Sequence, residues 1–265
     1  MKIISVCNQK GGVGKTTTAI NTAAYLAAAG QRVLLVDLDP QGNATSGVGV
    51  DKKTLDHHIY HVLMDRQSPG DVMRPTPIPG LMLLPSTIDL TGAEIELVPQ
   101  ERREFRLREM LEPVKEQFDF ILIDSPPSLG LLTINGLVAA DRALIPLQCE
   151  YYALEGLSQL LKTIGMVKAT FNQTLEVEGI VLTMADHRTN LAQEVITEAR
   201  TYFKERVFRS IIPRSVRLSE SPGFGKPILL YDHESIGAQR YRELSEELLG
   251  RVATTTAEQR SLAAS

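Results

Sequence analysis

The string Lys10-Gly11-Gly12-Val13-Gly14-Lys15-Thr16-Thr17 puts two lysines and two hydroxyls around three glycines, directly after the apolar run Ile3–Cys7 and before an alanine-rich stretch. That setting binds phosphate. Glycines let consecutive backbone N–H groups turn inward around phosphate oxygens, and the N-terminal dipole of the following helix adds to their field. In such a loop Lys15 reaches the β- and γ-phosphates and the Thr16 hydroxyl ligates Mg²⁺, while Gly11, Gly12, Val13, Gly14 and Thr17 line the cradle. The general pattern G-x-x-x-x-G-K-[ST] would place glycine at position 9, where this chain has Gln9. The loop is therefore a deviant form, and it carries an extra cation. Lys10 sits at its start, and the expectation for it is a role in trans, on a nucleotide held by a second subunit.

Two further apolar runs end in acids. Phe120-Ile121-Leu122-Ile123-Asp124 reads as a buried strand whose terminal carboxylate emerges at the carboxyl edge of the sheet, where open α/β folds bind ligands. Asp124 is expected on the magnesium side, through a coordinated water. The run Leu34-Leu35-Val36-Asp37-Leu38-Asp39 carries two aspartates on one side of an extended chain, because side chains alternate. Asp39 is nearer the Pro40-Gln41-Gly42 loop, so it is the acid expected to orient or deprotonate the attacking water beside the metal. Loop and acids together describe ATP hydrolysis with Mg²⁺. Guanine-specific proteins commonly carry Thr-Lys-x-Asp after a late strand; here Thr183-Met184-Ala185-Asp186 has methionine in the lysine position, which favours ATP over GTP.

These groups need a scaffold that gathers strand ends. Short apolar runs alternate with helical patterns, the signature of an α/β fold with a mostly parallel twisted sheet and helices on both faces. Expected strands are Ile3–Cys7, Val33–Val36, Met82–Leu84, Phe120–Ile123, Ala143–Leu147, Gly179–Thr183 and Val207–Ile211. Expected helices are Lys15–Ala29 closed by Gly30, Leu55–Met64, Arg102–Leu111, Thr133–Ala140, Leu154–Phe171, Leu191–Lys204 and Glu234–Gly250. Residues 1–250 read as a single domain, with Ser68–Gly80 as an excursion within it. Residues 251–265 read as a flexible C-terminal tail, Ala/Thr/Ser-rich and without an amphipathic stripe. At 265 residues, 43% hydrophobic and 23% charged, the composition is that of a globular protein with a sizeable core. A formal charge of -4 means that any nucleic-acid or membrane binding must come from a local patch. The two cysteines, Cys7 and Cys149, form neither a disulfide framework nor a zinc cluster, which fits a reducing cytoplasm. No apolar stretch approaches a bilayer span, and the N-terminal run reads as a first strand rather than a signal peptide.

The motifs KGGVGKTTT, VDLDPQGN and ILIDSPPSLG, the run from Gln148 through Tyr151 and Tyr152 to Gly156, and the late IIPRSVRLSESPGFGKP together resemble the ParA/Soj family of chromosome- and plasmid-partitioning ATPases, from Met1 to about Gly250. The first three are shared across P-loop NTPases of the deviant Walker A type and carry mechanism. The last two point to the Soj-like branch. The resemblance implies an ATP-sandwich homodimer that binds double-stranded DNA non-specifically and is reset when a ParB-type centromere-binding protein stimulates hydrolysis. It implies a cytoplasmic, nucleoid-associated protein with no membrane attachment. By motif, Lys10 is the signature lysine, Asp39 the hydrolytic acid, and Pro213 and Ser215 lie where a late loop packs against adenine. Ser215 stands where asparagine is frequent, and Ser221-Pro222-Gly223 where Ala-Pro-Ser is usual, which weakens the base contacts of that loop.

A MinD-like, membrane-associated division-site ATPase would share the nucleotide site, but that class ends in a basic amphipathic helix that Val252–Ser265 does not offer. An iron–sulfur ATPase needs accessible cysteine ligands, and a binding scaffold with little turnover would show no partner-stimulated hydrolysis. Between Arg200 and Lys226 the chain carries seven cations against Glu205 and Glu220, a local excess of five. Arg188 and Arg217 match positions where Soj-like proteins place DNA-contacting arginines. With no aromatic ladder nearby, contact with the duplex backbone is expected rather than base readout.

Overall fold

The structure is a computed structural model that describes residues 1–150, 153–186 and 188–263; Tyr151 and Tyr152 of the run quoted above, His187 beside Arg188, and the last two residues of the tail lie outside them. Strands β1 (Lys2–Val6), β2 (Val33–Asp37), β3 (Arg74–Pro75), β4 (Leu81–Leu84), β5 (Phe120–Asp124), β6 (Arg142–Gln148) and β7 (Glu176–Thr183) form one sheet in the order β3-β4-β2-β5-β1-β6-β7. Every pairing is parallel except β3 with β4.

The strand sequences explain the layering. β2 and β5 are buried at every position, as continuous apolar runs must be when helices cover both faces. Alternate residues feed opposite cores: Leu34, Val36, Ile121 and Ile123 on one face, Val33, Leu35, Phe120 and Leu122 on the other. The helices Lys15–Ala28 and Ile236–Ala263 cover the second face, and Leu131–Ala139, Ala153–Thr170 and Asn190–Phe203 pack on the first. β1 is central, with β5 on one side and β6 on the other. The chain thus leaves β1 toward one half of the sheet and later completes the other, and a crevice opens outside the carboxyl end of β1.

Three sequence expectations change. Val207–Ile211 is not a strand: the segment follows β7 through isolated bridges at Val207 and Pro213, while the Arg209 and Ser210 amides donate to the Glu247 carboxylate at 2.9 and 3.4 Å. The side chain of the last helix thereby takes those amides away from the sheet. The helix expected over Leu55–Met64 begins only at Ile59, after a 3₁₀ turn at Lys52–Thr54. The last helix does not stop at Gly250 but continues to Ala263. Gly250 faces open space, and Arg251 beyond it lies 3.9 Å over the Phe208 ring and donates to the Glu178 carbonyl at 3.2 Å. One interior glycine costs roughly 1 kcal/mol, which such contacts offset. The short antiparallel β3, within the Ser68–Gly80 excursion, was not expected. No helix among the described residues is long and apolar enough to cross a membrane.

Candidate functional site

β1 delivers the chain to the crevice at Cys7, and Asn8 fixes the exit. The Asn8 side chain donates to the Pro146 carbonyl at 2.7 Å and accepts from the Lys10 amide at 3.0 Å, so it ties the loop start to β6. Gln9, where the general pattern has glycine, donates to the Gly156 carbonyl at 3.0 Å and anchors the loop to the helix Ala153–Thr170. The deviant position is thus a structural tie. Gly12 and Gly14 adopt φ of 74° and 87°, a left-handed conformation that a side chain would strain, and Gly14 caps the helix Lys15–Ala28. Thr183, at the end of β7, donates to the Val13 carbonyl at 2.9 Å and holds the loop from its far side.

The two lysines behave differently. Lys15 is 7% exposed and its ammonium donates to the Lys10 carbonyl at 3.0 Å, curled over the loop. Burial lowers its pKa, against the pull of the nearby Asp124 and Asp39. Lys10 is half exposed and points out of the loop, its ammonium 2.8 Å from Glu150. Its charge is paired with an acid just past the end of β6.

β2 and β5 pair in register so that Asp37 lies beside Asp124. Asp124 is fully buried, and neither carboxylate oxygen has a hydrogen-bond partner. Burial and the neighbouring Asp37 hold its pKa well above the ordinary value, with the Thr16 hydroxyl pulling the other way. An orphaned buried carboxylate facing a threonine hydroxyl is a hard oxygen donor set, and it fits Mg²⁺. Asp37 has a different occupation. It accepts from the Thr45 amide and hydroxyl, both at 2.7 Å, and from the Asp39 amide at 3.2 Å, while burial pushes its pKa up to about 6. It therefore pins the loop that carries Asp39. Asp39 accepts from the Gln41 amide at 2.9 Å and lines the same space as Lys15. Gly42 turns that loop at φ 60°, where a Cβ would stand 2.7 Å from the Ser86 carbonyl oxygen.

Two adjoining cavities result. One, about 420 Å³, is lined by Gly11, Gly12, Lys15, Thr16, Asp39 and Pro127 among others. The second, about 370 Å³, is walled mainly by Thr183, Ile212, Pro213, Ser215, Leu218 and Tyr241. Gly14, Thr17 and Met184 line both. A polar, cationic cavity opening into a mostly apolar one fits a phosphate chain joined to a base. Pro213 and Ser215 stand in the apolar cavity, and the Ser215 hydroxyl is already engaged as the cap of the helix Val216–Glu220, accepting from the Leu218 amide at 3.4 Å. Tyr241, fully buried, closes the cavity from the last helix, its hydroxyl 3.1 Å from that of Thr18.

Arg188 and Arg217 lie outside these cavities, Arg188 in the turn after Asp186 and Arg217 in the helix Val216–Glu220, on segments joined by the bridge between Ala185 and Pro213. Both are ion-paired. Arg188 is 88% exposed and grips Asp186 through two bonds at 2.8 and 2.7 Å; Arg217 reaches Glu220 at 3.3 Å and Asp232 at 3.2 Å. The basic segment does not form one face, since Arg209 sits beside Glu247 alongside the middle of β7, whereas Arg214 lines the apolar cavity beyond its end. Both cysteines are buried, with burial pushing Cys7 up to about 12 and Cys149 up to about 11. Such thiols stay protonated at neutral pH.

Asn8, Thr183 and Tyr241 were not legible as site residues. Asn8 precedes the motif by one residue, and the Tyr241–Thr18 contact joins positions 223 residues apart. The sequence marks Thr183 only as the end of a strand and Met184 only as a departure from a guanine pattern.

Comparison with known proteins gives consistent results. A family model described as an AAA domain matches residues 1–177. The chain is 57% identical over 250 residues to the chromosome partitioning protein ParA of Myxococcus xanthus, covering 94% of this chain and 88% of that one. It is 56% identical over 247 residues to the sporulation initiation inhibitor protein Soj of Bacillus subtilis, covering 93% and 98%. Among solved structures, cobyrinic acid a,c-diamide synthase from Mycobacterium smegmatis with bound ATP analog and magnesium superposes with a TM-score of 0.83 at 38% identity, over 94% of each chain.

Proposed function

The chain belongs to the ParA/Soj family of chromosome-partitioning ATPases, and from that membership we propose that it is an ATP-driven switch for DNA segregation, cytoplasmic and nucleoid-associated. The observation that carries this reading is the pair of cavities joined at Gly14, Thr17 and Met184, one suited to phosphates and one to a base. ATP binds with its phosphates along Gly11–Gly14 and its base near Pro213 and Ser215. Lys15 holds the β- and γ-phosphates. Thr16 and Asp124 would hold Mg²⁺, with Asp39 lining the same space, and the ion would neutralise charge on the β- and γ-phosphates.

Hydrolysis is the attack of water on the γ-phosphorus, with cleavage of its bond to the β–γ bridging oxygen and release of ADP and phosphate. Asp39 orients that water and accepts its proton. Its loop is already held by Asp37, so the acid is in place before substrate arrives. Lys10 reaches the nucleotide of a second copy, and an ATP-sandwich homodimer forms. Its outward direction supports this, and leaving Glu150 costs little because exposed ion pairs contribute about 0–1 kcal/mol. The dimer binds duplex DNA of any sequence through Arg188 and Arg217, and a ParB-type partner accelerates hydrolysis to reset it.

The test is molar mass by light scattering alongside phosphate release, for wild type and Asp39→Ala with ATP. The expected result is a dimer for both proteins and turnover for wild type alone. A variant that hydrolyses at the wild-type rate would make Asp39 a turn residue, and a wild type that stays monomeric with ATP would remove the sandwich.

A further inference from the structure

Met184 is one of four described non-glycine residues with positive φ, at 51°, and it lines both cavities of the candidate nucleotide site. A methionine there needs a reason, because the left-handed region crowds its Cβ and is adopted freely only by glycine. The neighbours impose the conformation. Thr183 is held to the phosphate loop through the Val13 carbonyl at 2.9 Å, and its own carbonyl accepts from the Cys149 amide at 3.1 Å. Ala185 donates to the Ile212 carbonyl and accepts from the Arg214 amide, both at 3.1 Å. Met184 is the single residue between these anchors, so the turn from β7 into the late loop falls on it. Glycine would satisfy that turn without strain. The side chain is what glycine lacks, and its methyl group lies about 4.0 Å from where a Cβ on Gly14 would be, against the inner lip of the phosphate loop.

We infer that Met184 touches the nucleoside of the bound nucleotide, where the base and ribose leave the phosphate loop, and that it sets affinity for adenine nucleotides independently of how many phosphates they carry. This deepens the reading of the cavities as a nucleotide site and rests on it. The position follows from geometry: a residue lining both the phosphate cavity and the apolar cavity stands at their junction, where a nucleotide has its sugar and the near edge of its base. The chemistry suits the place. A thioether offers apolar surface and a polarisable sulfur to an aromatic ring, and no strong hydrogen bond that would select a particular exocyclic group. Guanine would be gripped by a carboxylate two positions on, but both Asp186 oxygens are already taken by Arg188 at 2.8 and 2.7 Å. The apolar contact then works for adenine with no competing device for guanine.

The test is nucleotide affinity of the full chain by calorimetry with ATP, ADP and GTP, and with inorganic tripolyphosphate as a probe of the loop alone, for wild type, Met184→Gly and Met184→Leu. Met184→Gly is expected to bind ATP and ADP more weakly by the same factor, on the order of five- to tenfold, and to keep its tripolyphosphate affinity. Its thermal midpoint without nucleotide should equal or exceed that of wild type, because glycine relieves the positive φ, so weakened binding is not a folding defect. Met184→Leu should bind within about twofold of wild type. Unchanged ATP and ADP affinity in Met184→Gly would overturn the contact while leaving the site intact. Weakening of ATP but not ADP, or of tripolyphosphate as well, would also overturn it, because the residue would then act through the phosphates. A wild type that binds none of the four ligands would overturn the nucleotide-site reading itself.

Discussion

At the scale of single residues, the two lysines of one loop have opposite environments, and their substitution should separate binding from assembly. Lys15 is buried over the loop and Lys10 faces outward onto Glu150. Lys15→Ala removes the cation nearest the β- and γ-phosphates, so ATP affinity should fall about 10- to 100-fold, as for other charge-assisted contacts to phosphate. Lys10→Ala should retain ATP affinity and lose the ATP-dependent dimer, which calorimetry and light scattering on the same samples would separate. Asp124 carries a pH signature. Because burial and Asp37 raise its folded-state pKa, the folded chain keeps this proton to higher pH than the unfolded chain does. The cost of ionising it in place is therefore absent below the unfolded value of 3.8 and grows as pH rises above it. Asp124→Asn should stabilise the nucleotide-free protein by roughly 1–3 kcal/mol at pH 7.5, and the gain should vanish toward pH 4. Denaturant melts at the two pH values would check it, and a variant less stable at pH 7.5 would contradict it.

At the scale of elements, the sequence was most legible where local pattern and tertiary demand agree. The core of the sheet is such a place: the apolar runs of β2 and β5 are buried along their whole length, β5 ending at Asp124 and β2 at Asp37, two residues before Asp39. The glycine loop is another, since positive φ at Gly12 and Gly14 is written in the residue type. Legibility failed where a distant side chain decides a local outcome. Nothing in Val207–Ile211 announces that Glu247 will bind its amides, and nothing in Gly250 announces that Arg251 will continue the helix by packing on Phe208. The second failure has a measurable consequence. Arg251→Ala removes the cation over the Phe208 ring and the bonds to the Glu178 carbonyl and to Glu247 at 2.8 Å. We expect a loss of about 1–2 kcal/mol, a few degrees in thermal midpoint for a chain of this size. An unchanged midpoint would return residue 251 to an unpacked tail.

At the scale of the whole molecule, the account turns on what a second copy adds. A monomer of net charge -4, whose candidate DNA arginines are each paired with an acid of the same chain, presents little free positive charge to a duplex. Dimerisation would put two copies of the patch on one assembly and double the phosphate contacts without any new residue. The most direct measurement is DNA binding by filter retention with no nucleotide, with ADP and with ATP, across a salt series, on a random and a defined duplex. Binding should appear with ATP alone, ignore sequence, and weaken with salt by roughly 0.9 log units per log unit for each phosphate neutralised. Arg188→Glu combined with Arg217→Glu should abolish it while ATP binding and dimerisation persist. Equal binding without nucleotide, a strong sequence preference, or wild-type affinity in the double variant would contradict the account.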